Sequence, residues 1–316
     1  MNLRKSIAIA GISALALFGT AACGKDGSPE EKTPEAPASN ATGGGAPAAK
    51  PTVPTFTVKA GVDLSATSPT WKKAKDRGHL VIGAKEDQPF LGSMDPATKK
   101  RSGFDIEMAR MISAELGLDP AQIEFKTIAS ANRETALQKG DVDMYVGTYS
   151  ITDKRKDSVS FAGPYYVSGQ SLLVKKNETA ITGKDTIKGK KVCSAKGSTP
   201  IQTIKDKFPE TTPIEYDTYS LCVDNLLSGQ VDAVSTDEAI LKGYAAKDPD
   251  HLKVVGDNFS VEKYGIGLPK DDAALRAAVN DALDAKEKDG TWKKVYDATL
   301  GLSGSPAPTI PAIERY

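Results

Sequence analysis

A short phrase that the chain contains twice constrains its fold more than any other feature. The two copies are Leu137, Gly140, Val142, Asp143 and Leu226, Gly229, Val231, Asp232. The phrase predicts the end of an amphipathic helix, a glycine that terminates the helix, and then a buried strand. Two copies at the same internal spacing therefore predict two similar α/β lobes.

Small polar residues follow the strand that is predicted in each copy. Thr148 and Ser150 follow the first strand, and Thr236 and Asp237 follow the second. In open α/β sheets, ligands bind at the carboxyl ends of the strands. We therefore expect a ligand-binding cleft between the two lobes.

The N-terminal residues predict export from the cytoplasm. Arg4 and Lys5 precede an apolar run over residues 7–18, which is too short to span a bilayer comfortably. The run ends in Thr-Ala-Ala-Cys at residues 20–23. We assign residues 1–22 to a secretory signal sequence.

Cys23 is predicted to carry a lipid. Small residues directly before a cysteine resemble a bacterial lipobox, in which the cysteine is diacylated and becomes the N-terminus after cleavage. Thr20 departs from the leucine that is usual in that pattern. The alternative is ordinary cleavage beside an incidental cysteine, which leaves a lone thiol in an exported protein to be explained. We expect a protein anchored at the extracytoplasmic face of the cell membrane.

The residues after Cys23 predict a disordered tether that extends to residue 57. They are mainly Pro, Ala, Gly, Ser, Thr, Lys and Glu, so they cannot offset the entropy of ordering by burying apolar surface. The whole chain has 41 Lys and Arg residues against 41 Asp and Glu residues. This balance argues against a nucleic-acid partner, which requires a basic surface.

Cys193 and Cys222 remain once Cys23 is lipidated. Outside the cytoplasm two cysteines usually pair, so we expect a disulfide between them. A metal site is the alternative. It is disfavoured because the sequence contains no C-x-x-C motif and neither His79 nor His251 lies near a cysteine.

Hydrophobic periodicity predicts an alternation of helices and strands. Helices are expected over residues 104–116, 132–139, 200–208, 220–228, 272–288 and 292–300, and strands over residues 80–84, 123–128, 142–146, 191–194, 231–235 and 264–268. We expect the chain to cross between lobes near residues 169–174 and again near residues 258–263, which makes a two-stranded hinge. The predicted lobes are residues 58–168 with 261–302, and residues 169–260. A tail of unassigned role covers residues 303–316.

Motifs typical of enzymes are absent from the sequence. There is no G-x-S-x-G elbow and no H-E-x-x-H zinc motif, and the two histidines lack the context of a catalytic triad. We therefore predict no enzymatic activity, no cofactor and no metal.

Several motifs resemble family 3 of the bacterial extracellular solute-binding proteins, the polar amino-acid receptors of ABC importers. They are Gly103-Phe104-Asp105-Ile106, the run from Gly147 to Arg155, and Phe161-Ala162-Gly163-Pro164-Tyr165-Tyr166. The resemblance covers residues 80–300 and implies an α/β, two-lobed fold of the type II periplasmic-binding-protein kind. Lys85 with Asp87-Gln88-Pro89 and the run from Ser228 to Val234 with Asp237 resemble, more narrowly, glutamate-binding lipoproteins.

A free amino acid carries a carboxylate and an ammonium on one carbon, so its receptor needs groups of both charges. Arg155 can clamp the α-carboxylate with two parallel hydrogen bonds. The resemblance implies that backbone N–H groups of Ser150 and Thr199, next to Ser198, complete this clamp from opposite lobes. The alternative is that Arg155 is a surface residue in the run Lys-Arg-Lys at residues 154–156.

The resemblance implies that Asp237 and the carbonyl of Thr148 hold the α-ammonium. For Asp237 the alternative is a helix cap, since a helix is expected to begin near Glu238. Tyr149 and Phe90 are candidates to pack on the methylene groups of the ligand, although aromatic residues at strand ends are more often part of the core.

The distal end of the ligand must decide specificity. Lys85 directly follows the first predicted strand, and Arg133 begins the helix that follows Ser130. Two cations favour a second carboxylate on the ligand, because a neutral amide leaves at least one cation without a counter-charge. The alternative for Lys85 is a solvated loop lysine.

We therefore predict a lipid-anchored, monomeric receptor that closes on L-glutamate, or aspartate, and delivers it to an ABC permease. Glutamine, asparagine or another polar amino acid is the alternative ligand. The same fold also hosts cyclohexadienyl dehydratases, for which Glu86 would be the nearest general acid in sequence.

Overall fold

The computed structural model of the protein describes residues 51–310 and 312–316. The predicted signal sequence, Cys23 and most of the predicted tether lie outside the described residues. All the described residues belong to one compact unit. Within this part of the chain, no helix is long and apolar enough to cross a membrane.

The described chain alternates between helices and strands over most of its length. The helices are α1 (Pro69–Arg77), α2 (Phe104–Glu115), α3 (Arg133–Lys139), α4 (Asp153–Lys156), α5 (Thr199–Lys207), α6 (Tyr219–Ser228), α7 (Glu238–Lys247), α8 (Ala273–Lys288) and α9 (Thr291–Ala298). The strands are β1 (Val81–Ala84), β2 (Asp87–Gln88), β3 (Gly92–Met94), β4 (Arg101–Ser102), β5 (Glu124–Thr127), β6 (Met144–Tyr145), β7 (Ser160–Ser168), β8 (Gln170–Lys175), β9 (Lys191–Ala195), β10 (Thr212–Tyr216), β11 (Ala233–Asp237), β12 (Leu252–Val255) and β13 (Glu262–Leu268). Short 3-10 turns cover Pro120–Gln122, Ser130–Asn132, Lys184–Thr186 and Leu300–Ser303.

Two five-stranded sheets define the two lobes. The sheet of lobe 1 has the order β5-β1-β6-β13-β7, and the sheet of lobe 2 has the order β10-β9-β11-β8-β12. The chain leaves lobe 1 between β7 and β8 and returns between β12 and β13. The predicted α/β fold with two lobes and two crossings is confirmed. A small antiparallel sheet of β2, β3 and β4 lies outside both.

The repeated phrase has the same structure in both lobes. Gly140 and Gly229 end α3 and α6 with positive φ angles of 68° and 80°, a conformation that glycine adopts without steric cost. The aspartate that ends each phrase then holds the first residue of a neighbouring strand. Asp143 accepts a hydrogen bond of 2.7 Å from the backbone N–H of Val81, and Asp232 accepts one of 2.7 Å from that of Lys191. Each phrase therefore positions the parallel strand beside it.

All the predicted helices and strands are present, with ends shifted by at most two residues. Helix α7 begins at Glu238, where a helix was expected, and β8 covers the first predicted crossing. Several further elements were not predicted: α1, α4, the three strands of the small sheet, and strands β7, β10 and β12. The strands of the small sheet have only two or three residues each, which is too few for a periodic pattern.

An aromatic cluster explains why the chain returns to lobe 1 after its second crossing. Trp292 on α9 stacks on Tyr296 with ring centroids 5.4 Å apart, and both rings contact Phe104 on α2. The indole N–H of Trp292 donates a hydrogen bond of 2.8 Å to the carbonyl of Tyr165 on β7. The C-terminal helices are therefore part of the lobe 1 core.

The expected disulfide joins Cys193 on β9 to Cys222 on α6, with Cα atoms 5.6 Å apart. Both residues are fully buried. The pairing occupies both sulfurs, so the alternative of a metal site at these cysteines is wrong. Among the described residues no cluster of His, Cys, Asp and Glu is arranged to hold a metal ion.

Reduction of this disulfide should lower the free energy of unfolding by about 3 to 4 kcal/mol, because the crosslink restricts the unfolded chain. Guanidinium unfolding with and without a reductant measures the change. The matched control is the Cys193→Ala, Cys222→Ala double variant, which should unfold at the same denaturant concentration in both conditions. An equal effect of the reductant on the wild type and the double variant would contradict the prediction.

Candidate functional site

The predicted site residues lie where the strands of the two sheets end. Lys85 follows β1, Ser130 follows β5, Thr148, Tyr149 and Ser150 follow β6, Ser198 and Thr199 follow β9, and Asp237 ends β11. The two arginines lie on short helices of lobe 1, Arg133 at the start of α3 and Arg155 within α4. This is the edge at which open α/β sheets bind ligands.

Arg155 is held by both lobes. Thr152 caps α4 by accepting a hydrogen bond from the backbone N–H of Arg155. The guanidinium donates to the carbonyl of Ser150 at 2.7 Å and, across the lobes, to the carbonyl of Gly197 at 3.2 Å. Its Nε lies 3.2 Å from a carboxylate oxygen of Glu134. The side chain is buried, so the alternative of a surface arginine is wrong.

A second guanidinium lies beside that of Arg155. Arg133 donates to the carbonyls of Ser130 at 3.0 Å, Thr148 at 3.4 Å and Gly197 at 3.4 Å. Both guanidinium groups lie over the ring of Tyr149, with distances to its centroid of 4.3 Å for Arg133 and 5.0 Å for Arg155. Tyr149 therefore holds two like charges near each other through cation–π contacts. Burial first, and then Arg133, lower the pKa of Arg155 to about 10.

Lys85 points into the protein. Its Nζ donates a hydrogen bond of 2.8 Å to Ser130 Oγ, and the residue is only 4% exposed. Burial, reinforced by Arg133, lowers the pKa of Lys85 to about 7, because the charged form lacks water and a close counter-charge. The alternative of a solvated loop lysine is wrong.

Glu86 points away from its neighbour Lys85. One of its carboxylate oxygens accepts a hydrogen bond of 2.5 Å from Thr127 and lies 3.7 Å from the guanidinium of Arg101. This ion pair at the edge of lobe 1 leaves Glu86 without a contact to any of the predicted site residues.

Asp237 presents an unpartnered oxygen. Its Oδ2 accepts a hydrogen bond of 2.7 Å from the hydroxyl of Tyr264, while its Oδ1 is buried and has no hydrogen-bond partner among the described residues. Burial and the nearby carboxylate of Glu262 raise the pKa of Asp237 to about 8. Asp237 occupies the cap position of α7 but makes no side-chain hydrogen bond to that helix, so the helix-cap alternative is wrong.

The two threonine and serine positions of lobe 2 have separate roles. Ser198 caps α5 by accepting a hydrogen bond of 3.2 Å from the backbone N–H of Ile201. The hydroxyl of Thr199 donates to Glu262 at 2.8 Å and lies 3.3 Å from Ser150 Oγ, which joins the lobes. Its own backbone N–H lies in the first turn of α5, where helices leave such groups without an internal acceptor. An anion can bind there.

The structure brings to the candidate site further residues that were not among the predicted site residues. Glu134 neutralises Arg155, and Glu262 begins the second crossing strand. Asp87 accepts hydrogen bonds from the backbone N–H groups of Tyr219 at 2.8 Å and Ser220 at 3.1 Å, at the start of α6. Glu134 follows Arg133 directly and Glu262 lies in the predicted crossing, so their positions in the sequence could have indicated a role at the site. Asp87 belongs to the motif that resembles glutamate-binding lipoproteins, but the sequence did not indicate its contacts with α6, because those partners are remote.

These contacts leave a site with opposite charges at its two sides. Buried cations of lobe 1 gather around Tyr149 and Ser130, while Asp237 of lobe 2 offers a free oxygen. Tyr149 OH, Thr236 Oγ1 and Gln88 Nε2 are also buried without hydrogen-bond partners among the described residues. Buried polar groups are normally paired, so this arrangement is suited to a small ligand that carries both charges.

Asp237→Asn should stabilise the protein without bound amino acid at pH 8 by about 1 to 3 kcal/mol, because the amide keeps the shape of the side chain and removes its buried charge. The folded protein binds a proton at Asp237 up to about pH 8, whereas the unfolded chain releases it near pH 4. Stability from this group is therefore complete below pH 4 and is lost as the pH rises through 8. The wild type should approach the variant's stability as the pH falls towards 4.

Thermal unfolding from pH 4 to pH 9 measures this difference. Asp153→Asn is a suitable control, since Asp153 is fully exposed and should follow the wild type at every pH. Wild-type and Asp237→Asn curves that stay parallel over the whole range would contradict the prediction.

Comparisons with known proteins identify several relatives of this chain. The glutamate-binding protein GluB of Corynebacterium glutamicum is 40% identical over 260 residues, which cover 78% of this chain and 88% of that protein. The ABC transporter glutamine-binding protein GlnH of Bacillus subtilis is 37% identical over 222 residues, 70% of this chain and 81% of that protein. A solved structure of an ancestral arginine-binding protein bound to glutamine is 37% identical, with a TM-score of 0.66, and covers 70% of this chain and 97% of that one.

The family described as bacterial extracellular solute-binding proteins, family 3, matches residues 80–301. This span contains both five-stranded sheets and all the residues of the candidate site. The match confirms the resemblance that the sequence motifs indicated. The chain therefore belongs to family 3 of the bacterial extracellular solute-binding proteins.

Proposed function

We propose that the protein is the lipid-anchored receptor of an ABC importer, that it binds L-glutamate between its lobes, and that it delivers the amino acid to a permease. The observation that carries this proposal is the set of buried charges at the strand ends: Lys85 and Arg133 from lobe 1, and Asp237 with its unpartnered oxygen from lobe 2. A dicarboxylic amino acid has the matching charges: one ammonium and two carboxylates.

The α-ammonium group fits the lobe 2 side of the site. Asp237 Oδ1 is a buried acceptor without a partner among the described residues. An ammonium beside it supplies the missing donor and counter-charge, and so lowers the pKa of Asp237 towards its usual range. The carbonyl of Thr148, on a backbone with a positive φ of 46°, offers a second acceptor from lobe 1.

The α-carboxylate fits the group around Arg155. A guanidinium can bind both oxygens of a carboxylate in parallel. In the structure the donors of Arg155 are directed to the carbonyls of Ser150 and Gly197 and to Glu134. The α-carboxylate of the ligand can replace the weaker carbonyl contacts of Arg155. It then gains charge-assisted hydrogen bonds from the guanidinium and a further hydrogen bond from the backbone N–H of Thr199.

Lys85 favours glutamate over glutamine. Its ammonium has a serine hydroxyl as its only hydrogen-bond partner among the described residues, and burial, followed by the charge of Arg133, lowers its pKa to about 7. A second carboxylate on the ligand supplies a counter-charge, whereas the amide of glutamine does not.

Glutamine remains the second candidate ligand, since the relative from Bacillus subtilis is named a glutamine-binding protein. A dehydratase is disfavoured because Glu86, the general acid that it would need, is paired with Arg101 and Thr127.

Closure follows from contacts that join the lobes. Gly197 and Asp87 each bond to the opposite lobe, and Thr199 bonds to Glu262 on the crossing strand. Without a ligand, closure leaves Lys85 and Asp237 desolvated without counter-charges, which opposes it. A ligand that satisfies both charges stabilises the closed state selectively.

Two substitutions separate the two carboxylates of the ligand. Arg155→Ala should weaken glutamate and glutamine alike by about 2 to 5 kcal/mol, because the α-carboxylate loses its partner in a desolvated site. Lys85→Met keeps the aliphatic stem and removes the charge. It should weaken glutamate by about 1.5 to 3 kcal/mol and glutamine much less. Titration calorimetry with both amino acids measures the two differences.

The Lys85→Met result is a comparison of two ligands on one variant, so damage to folding or to the hinge affects both equally. Equal losses for glutamate and glutamine, or no loss, would exclude Lys85 as the specificity residue. Absence of binding by the wild type to every amino acid in a panel would overturn the proposed function.

Lipid anchoring rests on the sequence around Cys23. Cys23→Ser should remove the acylation site, so the receptor should appear in the soluble fraction or keep its uncleaved signal. Fractionation followed by mass spectrometry of the N-terminal peptide distinguishes these forms. A cleaved Cys23→Ser protein that remains tightly membrane-bound would contradict the lipoprotein assignment.

A further inference from the structure

The last residues of the chain return to the edge of the lobe 1 sheet. The backbone N–H of Glu314 donates a hydrogen bond of 2.8 Å to the carbonyl of Gly163, and the hydroxyl of Tyr316 accepts one of 2.8 Å from the N–H of Phe161. Both partners lie on β7, which is the edge strand of its sheet. The tail therefore covers backbone groups that an edge strand otherwise leaves open.

The carboxylate of Glu314 joins two elements that flank the candidate site. One oxygen lies 3.2 Å from Nζ of Lys156, the last residue of α4, and the other lies 2.8 Å from Nζ of Lys263 on β13. Arg155 directly precedes Lys156. The carbonyl of Lys263 accepts a hydrogen bond of 2.8 Å from the N–H of Ile151, next to Ser150. The carboxylate of Glu314 therefore contacts the residue after Arg155 directly, and it contacts the segment beside Ser150 only through Lys263.

Tyr316 makes further contacts between the tail and the rest of lobe 1. Its ring lies between two cations, with centroid distances of 4.9 Å to Nζ of Lys156 and 4.2 Å to the guanidinium carbon of Arg276 on α8. Arg276 also donates to the terminal carbonyl of Tyr316 and, at 2.9 Å, to Ser160 Oγ on β7. Helix α4 is therefore tied through the tail to α8 and to the sheet.

Helix α4 needs such support. It has only four residues, and a single helical turn is unstable on its own because nucleation costs more than one turn recovers. Yet it presents Arg155, whose guanidinium must hold a fixed direction to bind a carboxylate with two parallel hydrogen bonds.

We propose that residues 312–316 form a strap that positions Arg155, with Glu314 as its main positioning residue. This inference rests on the role of Arg155 in the proposed function. The strap touches neither Lys85 nor Asp237, so it acts on the α-carboxylate end of any amino-acid ligand. It does not act on the choice between glutamate and glutamine.

The test measures amino-acid binding by the full-length protein with Glu314→Gln. This variant keeps the shape of the side chain and removes its charge from Lys156 and Lys263. Glutamate and glutamine should both bind about two- to fivefold more weakly, which is the range expected for partly exposed ion pairs. Glu314→Asp should recover part of the affinity.

Arg315→Ala is the matched control in the same segment. Arg315 pairs with Asp281 on α8 at 2.7 Å and has no ion-pair contact with α4. The Arg315→Ala variant should leave the affinity for both amino acids unchanged, even if it lowers the thermal unfolding temperature as much as Glu314→Gln does. Equal loss of affinity from both variants would show a general structural role and overturn the proposal.

A double-mutant cycle separates positioning from other effects. In an Arg155→Ala background, Glu314→Gln should cause no further loss, because the group that it positions is absent. A loss that persists at full size in this background would overturn the strap. A wild type that binds no amino acid would instead refute the proposed function, on which the strap depends, so the two failures are distinguishable.

Discussion

Uncompensated charge buried between the lobes is the constraint on which the rest of the structure depends. Three cations of lobe 1 and Asp237 of lobe 2 occupy strand ends from which water is largely excluded. Protein charges in such places are normally paired, because desolvation is costly. The ion pair of Arg155 with Glu134 and the cation–π contacts of Tyr149 relieve only part of this cost. The remaining desolvation cost favours a ligand of complementary charge, and it opposes closure of the lobes when no such ligand is bound.

The scaffold is suited to hold such a site because each lobe fixes its strand ends in the same way. Asp143 and Asp232 each bind the first residue of the neighbouring strand, so the strands that end at the site have a fixed register. Polar contacts between the two lobes include those of Gly197, Thr199 and Asp87, and the backbone carbonyl of Asp87 also binds the hydroxyl of Tyr244 on α7. Hinge closure requires contacts that can form and break between two folded lobes.

Much of this arrangement could be predicted from the sequence, since the repeated phrase and hydrophobic periodicity are local patterns. The strand ends follow from short stretches of chain and the disulfide from the predicted export, whereas the role of Arg155 was implied by the family resemblance. Partners that are remote in sequence could not be predicted: the contact of Asp87 with α6, and that of Glu262 with Thr199, depend on tertiary packing alone. The tail was left unassigned for the same reason, because its contacts lie on β7, α4 and α8.

The disulfide has a mechanical consequence. It joins β9, whose following loop carries Gly197, to α6, whose first N–H groups bind Asp87. Two of the patches by which lobe 2 meets lobe 1 are therefore covalently linked. Because of this link, the contact of Gly197 with lobe 1 and the contact of α6 with Asp87 should form and break together. A receptor with only one of these contacts formed is disfavoured.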